Sequence, residues 1–286
     1  MKRSLIGLVA IGALIAGPAM AADMNMPLKA PAAPLAPACM WCGFYVGGNA
    51  GWAWGRDDIN TTNIIGPVPP FVAVDNAAVS SAASPRINGD GFTGGGQIGY
   101  NSQSGNIVWG AEADFEYLGI KGSTSGTFPF PSTLPGGVVG PPTEFFGVAT
   151  HYSTDWLFTA RPRIGWAMNN WLLYATGGLA VGREHFSQTL TLLPPFVSTN
   201  TFATTQVGWT VGAGVEYALN QNWSVKAEYL YVDLGRTGAN AGTLTPACTP
   251  AVCTYTNSSS AHLTANIARV GINYHFNFGG PIATRY

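Results

Sequence analysis

The sequence predicts an all-β fold: an eight-stranded antiparallel up-and-down transmembrane β-barrel with short periplasmic turns and four long outer loops. Three observations carry this. First, charged residues make up 9% of the 286 residues and hydrophobic residues 47%. An ordinary soluble domain has roughly 25% charged, so this exterior is too poor in charge to face water all round. Second, no apolar stretch reaches the roughly 20 residues of a membrane-crossing helix. Third, segments that alternate between apolar and small or polar residues recur along the chain, the period-two mark of a strand with two unlike faces. A closed barrel satisfies every backbone group between its strands and can turn one face to lipid. A charged disordered chain, which needs low hydrophobicity, is excluded. The formal net charge of −1 argues against a nucleic-acid binder, which needs a basic face.

In chain order, Lys2 and Arg3 precede an apolar run from Leu5 to Ile15, Pro18 breaks it, and Ala19-Met20-Ala21 is a small-x-small cleavage site. Residues 1–21 read as a secretory signal peptide, residues 22–42 as an Ala/Pro-rich periplasmic linker, and residues 43–286 as the barrel domain. The alternation is clearest from Val207, where Trp209, Val211, Ala213, Val215, Tyr217 and Leu219 share one parity and Gly208, Thr210, Gly212, Gly214 and Glu216 the other. Strands with the same pattern start at Ile107, Trp156 and Trp223, and another runs from Ala268 to Phe276. Gly43–Gly55, Gly91–Asn101 and Trp171–Gly182 are weaker, Gly-rich strands suited to a narrow lumen. Tight polar turns are expected at Ser102–Gly105, Asn169-Asn170 and Asn220–Asn222, with long outer loops at 56–90, 118–154, 183–203 and 236–263. Aromatics gather at the strand ends, Phe44, Tyr100, Trp109, Trp166 and Trp171 at one and Trp52, Phe92, Phe115, Trp156 and Trp209 at the other, as interfacial girdles do. The rival is a water-soluble β-sandwich, against which the signal peptide and the paired girdles weigh.

The inward parity carries Glu112, Asp114, Glu116, Glu216 and Glu228 against Arg161, Arg163, Lys226 and Arg269. Charges held away from water need partners. They are expected to form an ion-pair network inside a barrel nearly filled by side chains. The alternative is a selectivity lining for a narrow pore.

Trp41-Cys42-Gly43-Phe44-Tyr45-Val46-Gly47-Gly48 resembles the opening of alphaproteobacterial outer-membrane surface-antigen or porin-family proteins, the outer membrane immunogenic type related to opacity and OmpA-like barrels. Lys226–Gly235 resembles their seventh strand. The pattern of Arg269, Gly271, Tyr274 and Phe276 is similar to the last-strand signal read by the barrel-assembly machinery. Two departures stand out: Cys42 replaces the usual Thr, and the chain runs ten residues past Phe276. The resemblance implies an outer-membrane location.

In the barrel topology Cys39 and Cys42 are periplasmic and Cys248 and Cys253 lie in the last outer loop, so the pairs expected are Cys39–Cys42 and Cys248–Cys253. A redox motif would need a thioredoxin-like βαβ unit. His151, His185 and His262 fall near three outer loops without metal-ligand spacing. His151, Ser153 and Asp155 cluster, and His185 lies near Glu184, but such residues recur by chance in loops. The Gly runs open no helix and are not phosphate loops. The apolar, Pro-rich segments 64–71, 128–131 and 192–196 should not form regular strands and are expected to pack on one another above the barrel. The expected function is a non-enzymatic structural and surface-display barrel without a cofactor. Its expected partners are outer-membrane lipid and lipopolysaccharide, the assembly machinery, and host or phage surfaces, with no nucleic acid, and the chain is expected to be a monomer. The rivals are a small porin and a loop-borne enzyme.

Overall fold

A computed structural model describes residues 39–65, 73–131, 145–192, 196–239, 243–244 and 255–276. The elements are β1 (Gly43–Asp58), β2 (Asn60–Ile65), α1 (Ala73–Ala82), β3 (Arg86–Ser104), β4 (Ile107–Leu118), β5 (Lys121–Pro129), β6 (Phe145–Met168), β7 (Trp171–Leu192), β8 (Phe196–Ala218), β9 (Trp223–Ala239), β10 (Thr243–Leu244) and β11 (Tyr255–Phe276). The sheet runs β1-β11-β9-β8-β7-β6-β4-β3, and β3 pairs back onto β1 from Gly43↔Asn101 to Asp58↔Arg86. The result is an antiparallel ring. β2, β5 and β10 add to it at one end, β2 on β11 and β5 between β3 and β6. The signal peptide, most of the linker, and Cys248 and Cys253 lie outside the described residues.

At the end with tight connections, the turn end, Gly105 (φ 60) and Asn169 (φ 52) adopt the left-handed backbone that two-residue hairpins need. Asn220 Oδ1 accepts the Asn222 and Trp223 N–H groups. At the other end, the loop end, the strands are far longer than expected. β6 has 24 residues, whereas a membrane crossing takes about 9–11. The stretches read as long loops are therefore largely strand, and 73–82 is a helix. Phe128 and Pro129 close β5 rather than stand outside a strand, and β7 reaches Leu192. Pro129 is tolerated because it is the last residue of its strand.

The expected parity holds throughout the ring. Ile107, Trp109, Phe115 and Tyr117 are exposed while Val108, Glu112, Asp114 and Glu116 are buried. The girdle rings touch in pairs: Phe44 and Tyr100 at 4.9 Å, Trp171 and Tyr217 at 4.6 Å, Phe115 and Trp156 at 5.7 Å, Trp209 and Tyr231 at 5.5 Å.

Two bulges mark where wall becomes extension. The β6–β7 register slips between Thr154↔Glu184 and Leu157↔Gly182. The β11–β9 register slips between His262↔Arg236 and Thr264↔Asp233, beside Gly235 at φ 71. An extra residue swaps the two faces of a strand. On β6 the even positions Phe146, Val148 and Tyr152 face inward above the bulge, and the even positions Ile164 and Trp166 face outward below it. One apolar parity thus serves a protein core at the loop end and a lipid-facing wall beyond it.

Candidate functional site

The interior is layered. At the turn end Trp41 (1% exposed) packs with Val108, Ala167, Leu172, Tyr174 and Ala218, and its ring meets His275 edge-on at 5.9 Å. Cys39 and Cys42 form a disulfide beside it, with Cα atoms 5.5 Å apart. The sequence places Trp41 at the end of a linker, but the side chain is part of the core.

The next layer brings together all nine charged residues expected in the lumen. Arg161 Nη2 lies 2.9 Å from Glu112 and 2.7 Å from Asp114, and its Nη1 lies 3.4 Å from Glu228. Arg269 Nη1 reaches Asp114 at 3.0 Å and Glu116 at 2.9 Å, and its Nε reaches Glu228 at 2.8 Å. Arg163 Nη2 holds Glu216 at 2.7 Å, and Lys226 Nζ holds Glu112 at 2.9 Å. All these side chains are buried. Four of the five carboxylates take several bonds each, which offsets the cost of burying them, whereas Glu116 bonds through one oxygen to Arg269. Neutral groups complete the set. Tyr45 donates to Glu112 at 2.7 Å and accepts from Arg163 at 2.9 Å. Tyr174 donates to Glu228 at 3.1 Å, and its ring lies 4.1 Å from the Arg163 guanidinium. Thr159, Ser224 and Asn273 donate to Asp114 or Glu216. Sequence reasoning missed Trp41, Tyr45, Tyr174 and Asn273. Tyr45 and Tyr174 share the inward parity of Gly-rich strands, and a phenol on a polar lumen face signals a bonding partner.

Glycines make room for this layer. Arg269 faces Gly51 across the strand pair and Glu116 faces Gly95. A Cβ at either glycine would lie 2.2 Å from a carbonyl oxygen, of Ala268 and Phe115 respectively.

Toward the loop end the interior turns apolar, with Ile87, Leu118, Ile120, Leu157, Leu230, Leu263 and Ile267 in one cluster. Above the girdle Asp57 and Glu184 meet in it, both buried, with Tyr152 alongside. Burial pushes Glu184 up to about 8, reinforced by the neighbouring Asp57. Burial also raises Asp57 to about 6, against hydrogen bonds with Glu184 and from the His262 backbone that pull it down. Burial and the two carboxylates raise the Tyr152 phenol.

Helix α1 closes the stack. Val79 and Ala83 pack on Phe130, Phe146, Val148 and Leu190, and the Ala83 carbonyl accepts from Gln188 at 2.9 Å. Ser80 and Ser84 accept the Asn63 and Thr61 N–H groups of β2, each at 2.9 Å, so the helix covers a strand edge that would otherwise be open. The sequence signal for α1 was its Ala-rich composition with Asp75 in the first turn.

The remaining expected residues are dispersed. Gly271 packs under Lys226, and Tyr274 lies between Trp223 and Phe276, each at 5.1 Å. Asp155 binds His185 (2.6 Å) rather than His151, and Asp233 binds His262 (3.0 Å). These two pairs lie at the two bulges, on different strand pairs. Among the described residues no three of His, Cys, Asp and Glu form a metal cluster.

A closed antiparallel ring with an apolar, aromatic-girdled exterior and a polar, ion-paired interior defines an integral outer-membrane β-barrel protein. Residues 9–276 match the model of the outer membrane protein beta-barrel domain, and the chain belongs to that family. It is 37% identical over 235 residues to the 31 kDa outer-membrane immunogenic protein of Brucella melitensis, covering 80% of this chain and 86% of that one. It is 31% identical over 203 residues to the 22 kDa outer membrane protein of Rhizobium leguminosarum, covering 70% and 68%. Solved structures that resemble it include the outer membrane protease OmpT of Escherichia coli (TM-score 0.46, 10% identity, 82% of this chain and 96% of that one) and OprG of Pseudomonas aeruginosa (TM-score 0.39, 12% identity, 82% and 97%). The protein is thus an outer-membrane protein of the outer-membrane immunogenic kind, as the resemblance of its motifs implied.

Proposed function

We propose that this protein is a non-enzymatic structural and surface-display barrel. Its wall is eight strands, β1, β3, β4, β6, β7, β8, β9 and β11, with β2, β5 and β10 as outer additions. The turn end and both chain termini face the periplasm. It works as a monomer among lipopolysaccharide, with Arg269, Gly271, Tyr274 and Phe276 serving as its assembly signal. The exposed loop end is the surface for host or phage contacts.

The observation that carries this is the filled interior. Trp41, the ion-paired layer, the apolar cluster and α1 succeed one another along the axis, which leaves a solute path no continuous wet lining. The paired charges support scaffold rather than selectivity filter. The two His–Asp pairs lie apart and outside the lumen, which speaks against a shared catalytic centre. The test is planar-bilayer conductance of the refolded chain, with heat-modifiable migration on a denaturing gel to report the barrel. Folded protein without conductance is expected; steady open-channel currents from folded protein would favour the small-porin reading instead.

A further inference from the structure

The described residues contain nine Lys and Arg, and the ring divides them sharply. Four (Arg161, Arg163, Lys226, Arg269) are buried in the lumen and ion-paired. The other five, Arg56, Arg86, Lys121, Arg183 and Arg236, are all exposed and all at the loop end. Arg56 stands beyond Trp54 on β1 and Arg236 beyond Tyr231 on β9, while Lys121 opens β5, opposite Asp90 of β3. The outer face of the turn-end rim carries aromatic and neutral residues and, among the described residues, no Lys or Arg.

The rim carboxylates are already engaged. Asp58 pairs with Arg86 (2.6 Å), Asp90 accepts from Trp52 Nε1 (3.1 Å), and Asp155 and Asp233 hold histidines. Arg56, Lys121, Arg183 and Arg236 form no ion pair with a described carboxylate. These four cations sit on different strands around the ring, at the height where an apolar wall meets a polar surface. Nothing in folding the chain requires this one-sided distribution, since a water-exposed rim could be neutral, as the described residues of the turn-end rim are.

We propose that Arg56, Lys121, Arg183 and Arg236 form a docking belt for the phosphate groups of a phosphorylated glycolipid in the outer leaflet, whose acyl chains lie against the apolar wall. The belt rests on the outward orientation of the loop end proposed above. Phosphate suits exposed guanidinium and ammonium groups because charge-assisted hydrogen bonds survive partial hydration. A cation near an anionic membrane surface is worth about 1 kcal/mol, or roughly fivefold in affinity.

The test uses the full chain folded in detergent and given bis-phosphorylated lipid A or its dephosphorylated form, with retained lipid quantified by mass spectrometry. The Arg56→Gln, Lys121→Gln, Arg183→Gln, Arg236→Gln combination should lose retention of the phosphorylated lipid by roughly 600-fold, four factors of about five, with the dephosphorylated lipid unchanged. Arg86→Gln, whose guanidinium is already paired with Asp58, should leave retention of both lipids unchanged, and a loss as large as that of a single belt variant would overturn the belt. Equal retention of both lipids by the native chain, unchanged retention by the combined variant, or an equal loss of both lipids would each overturn the belt. Displacement by millimolar inorganic phosphate would make it a free-anion site and also overturn the lipid assignment. Heat-modifiable migration is read on every sample, so failure of the barrel is distinguishable from failure of the belt. If the combined variant does not fold, single Arg183→Gln and Arg236→Gln variants carry the test, each with roughly fivefold expected. Protease access to the loop end in sealed vesicles separately checks the orientation.

Discussion

Below the aromatic girdle at the loop end the strands form a wall that is apolar outside and charged inside. Above it the same strands form an extension whose outer face is largely polar and whose interior joins apolar residues to buried polar ones such as Thr150, Glu184 and Gln188. In the wall, Trp109, Ile164 and Val211 are exposed while Arg161 and Glu216 are buried. In the extension, Phe146, Val148 and Leu190 are buried beneath α1 while Ser123, Ser125 and His151 lie on the outside. The difference follows from the solvent. Lipid rewards apolar exteriors and leaves the polar groups to pair inside, whereas water restores the ordinary soluble arrangement. On β6 the bulge between Thr154 and Leu157 reconciles the two.

Deleting Asp155 should have the largest effect, because it removes the extra residue of that bulge. The extension of β6 would then turn Phe146 and Val148 to water. The expected result is a protein whose loop end is cut by added protease within the time the native chain survives. An intact extension would show that the bulge does not set the faces. Arg269→Met attacks the wall instead. It strands Asp114, Glu116 and Glu228 without their shared cation, which should cost about 3–5 kcal/mol. The temperature at which the compact gel band disappears should fall markedly. Leu190→Ala should cost about 2–5 kcal/mol, but only in the extension. Proteolysis near α1 should quicken while the gel shift of the wall stays where it was; loss of both together would merge the two regions into one cooperative unit.

The acid pair gives the extension its own pH dependence. Glu184 titrates near 8 in the folded chain against 4.5 ordinarily, so the folded state keeps a proton that the unfolded chain has released. That stabilisation is fully present below about pH 4.5 and is lost as pH rises through about 8. The groups facing Glu184 are Asp57, Tyr152 and Gln206, with the His262 backbone on Asp57. Protease sensitivity of the loop end should therefore rise between pH 6 and pH 9, and Glu184→Gln should flatten the rise. A native chain equally resistant at both would remove the pair from the account. The smallest effect belongs to Arg86→Ala. Its partner Asp58 is itself exposed, and such pairs contribute about 0–1 kcal/mol, so thermal stability should hardly move.

The wall was legible in the sequence because lipid imposes a strict period of two. Residues such as Val211 and Glu112 could be assigned to opposite faces from parity alone, and all nine lumen charges were found that way. The extension was not legible, and the reason is local. The apparent strand starts and ends at Trp156 and near Gly235 coincide with the two bulges. There the alternation slips by one residue, and a slip reads as the end of a strand. β5 was hidden by Phe128 and Pro129, and α1 by its place inside a stretch that carried no strand pattern.

The sequence by itself determined the period, the two girdles, the sign and parity of each buried charge, and the membership of the outer-membrane family, because each depends on residue type and spacing along one strand. Tertiary structure alone decided which carboxylate meets which cation, that Trp41 and α1 pack into buried clusters far apart in the chain, and that Asp57 and Glu184 share one buried site. Those facts depend on the cross-strand register and on segments packed from far away in the chain. The stagger that sets them comes from ring closure and from bulges, which no single strand records.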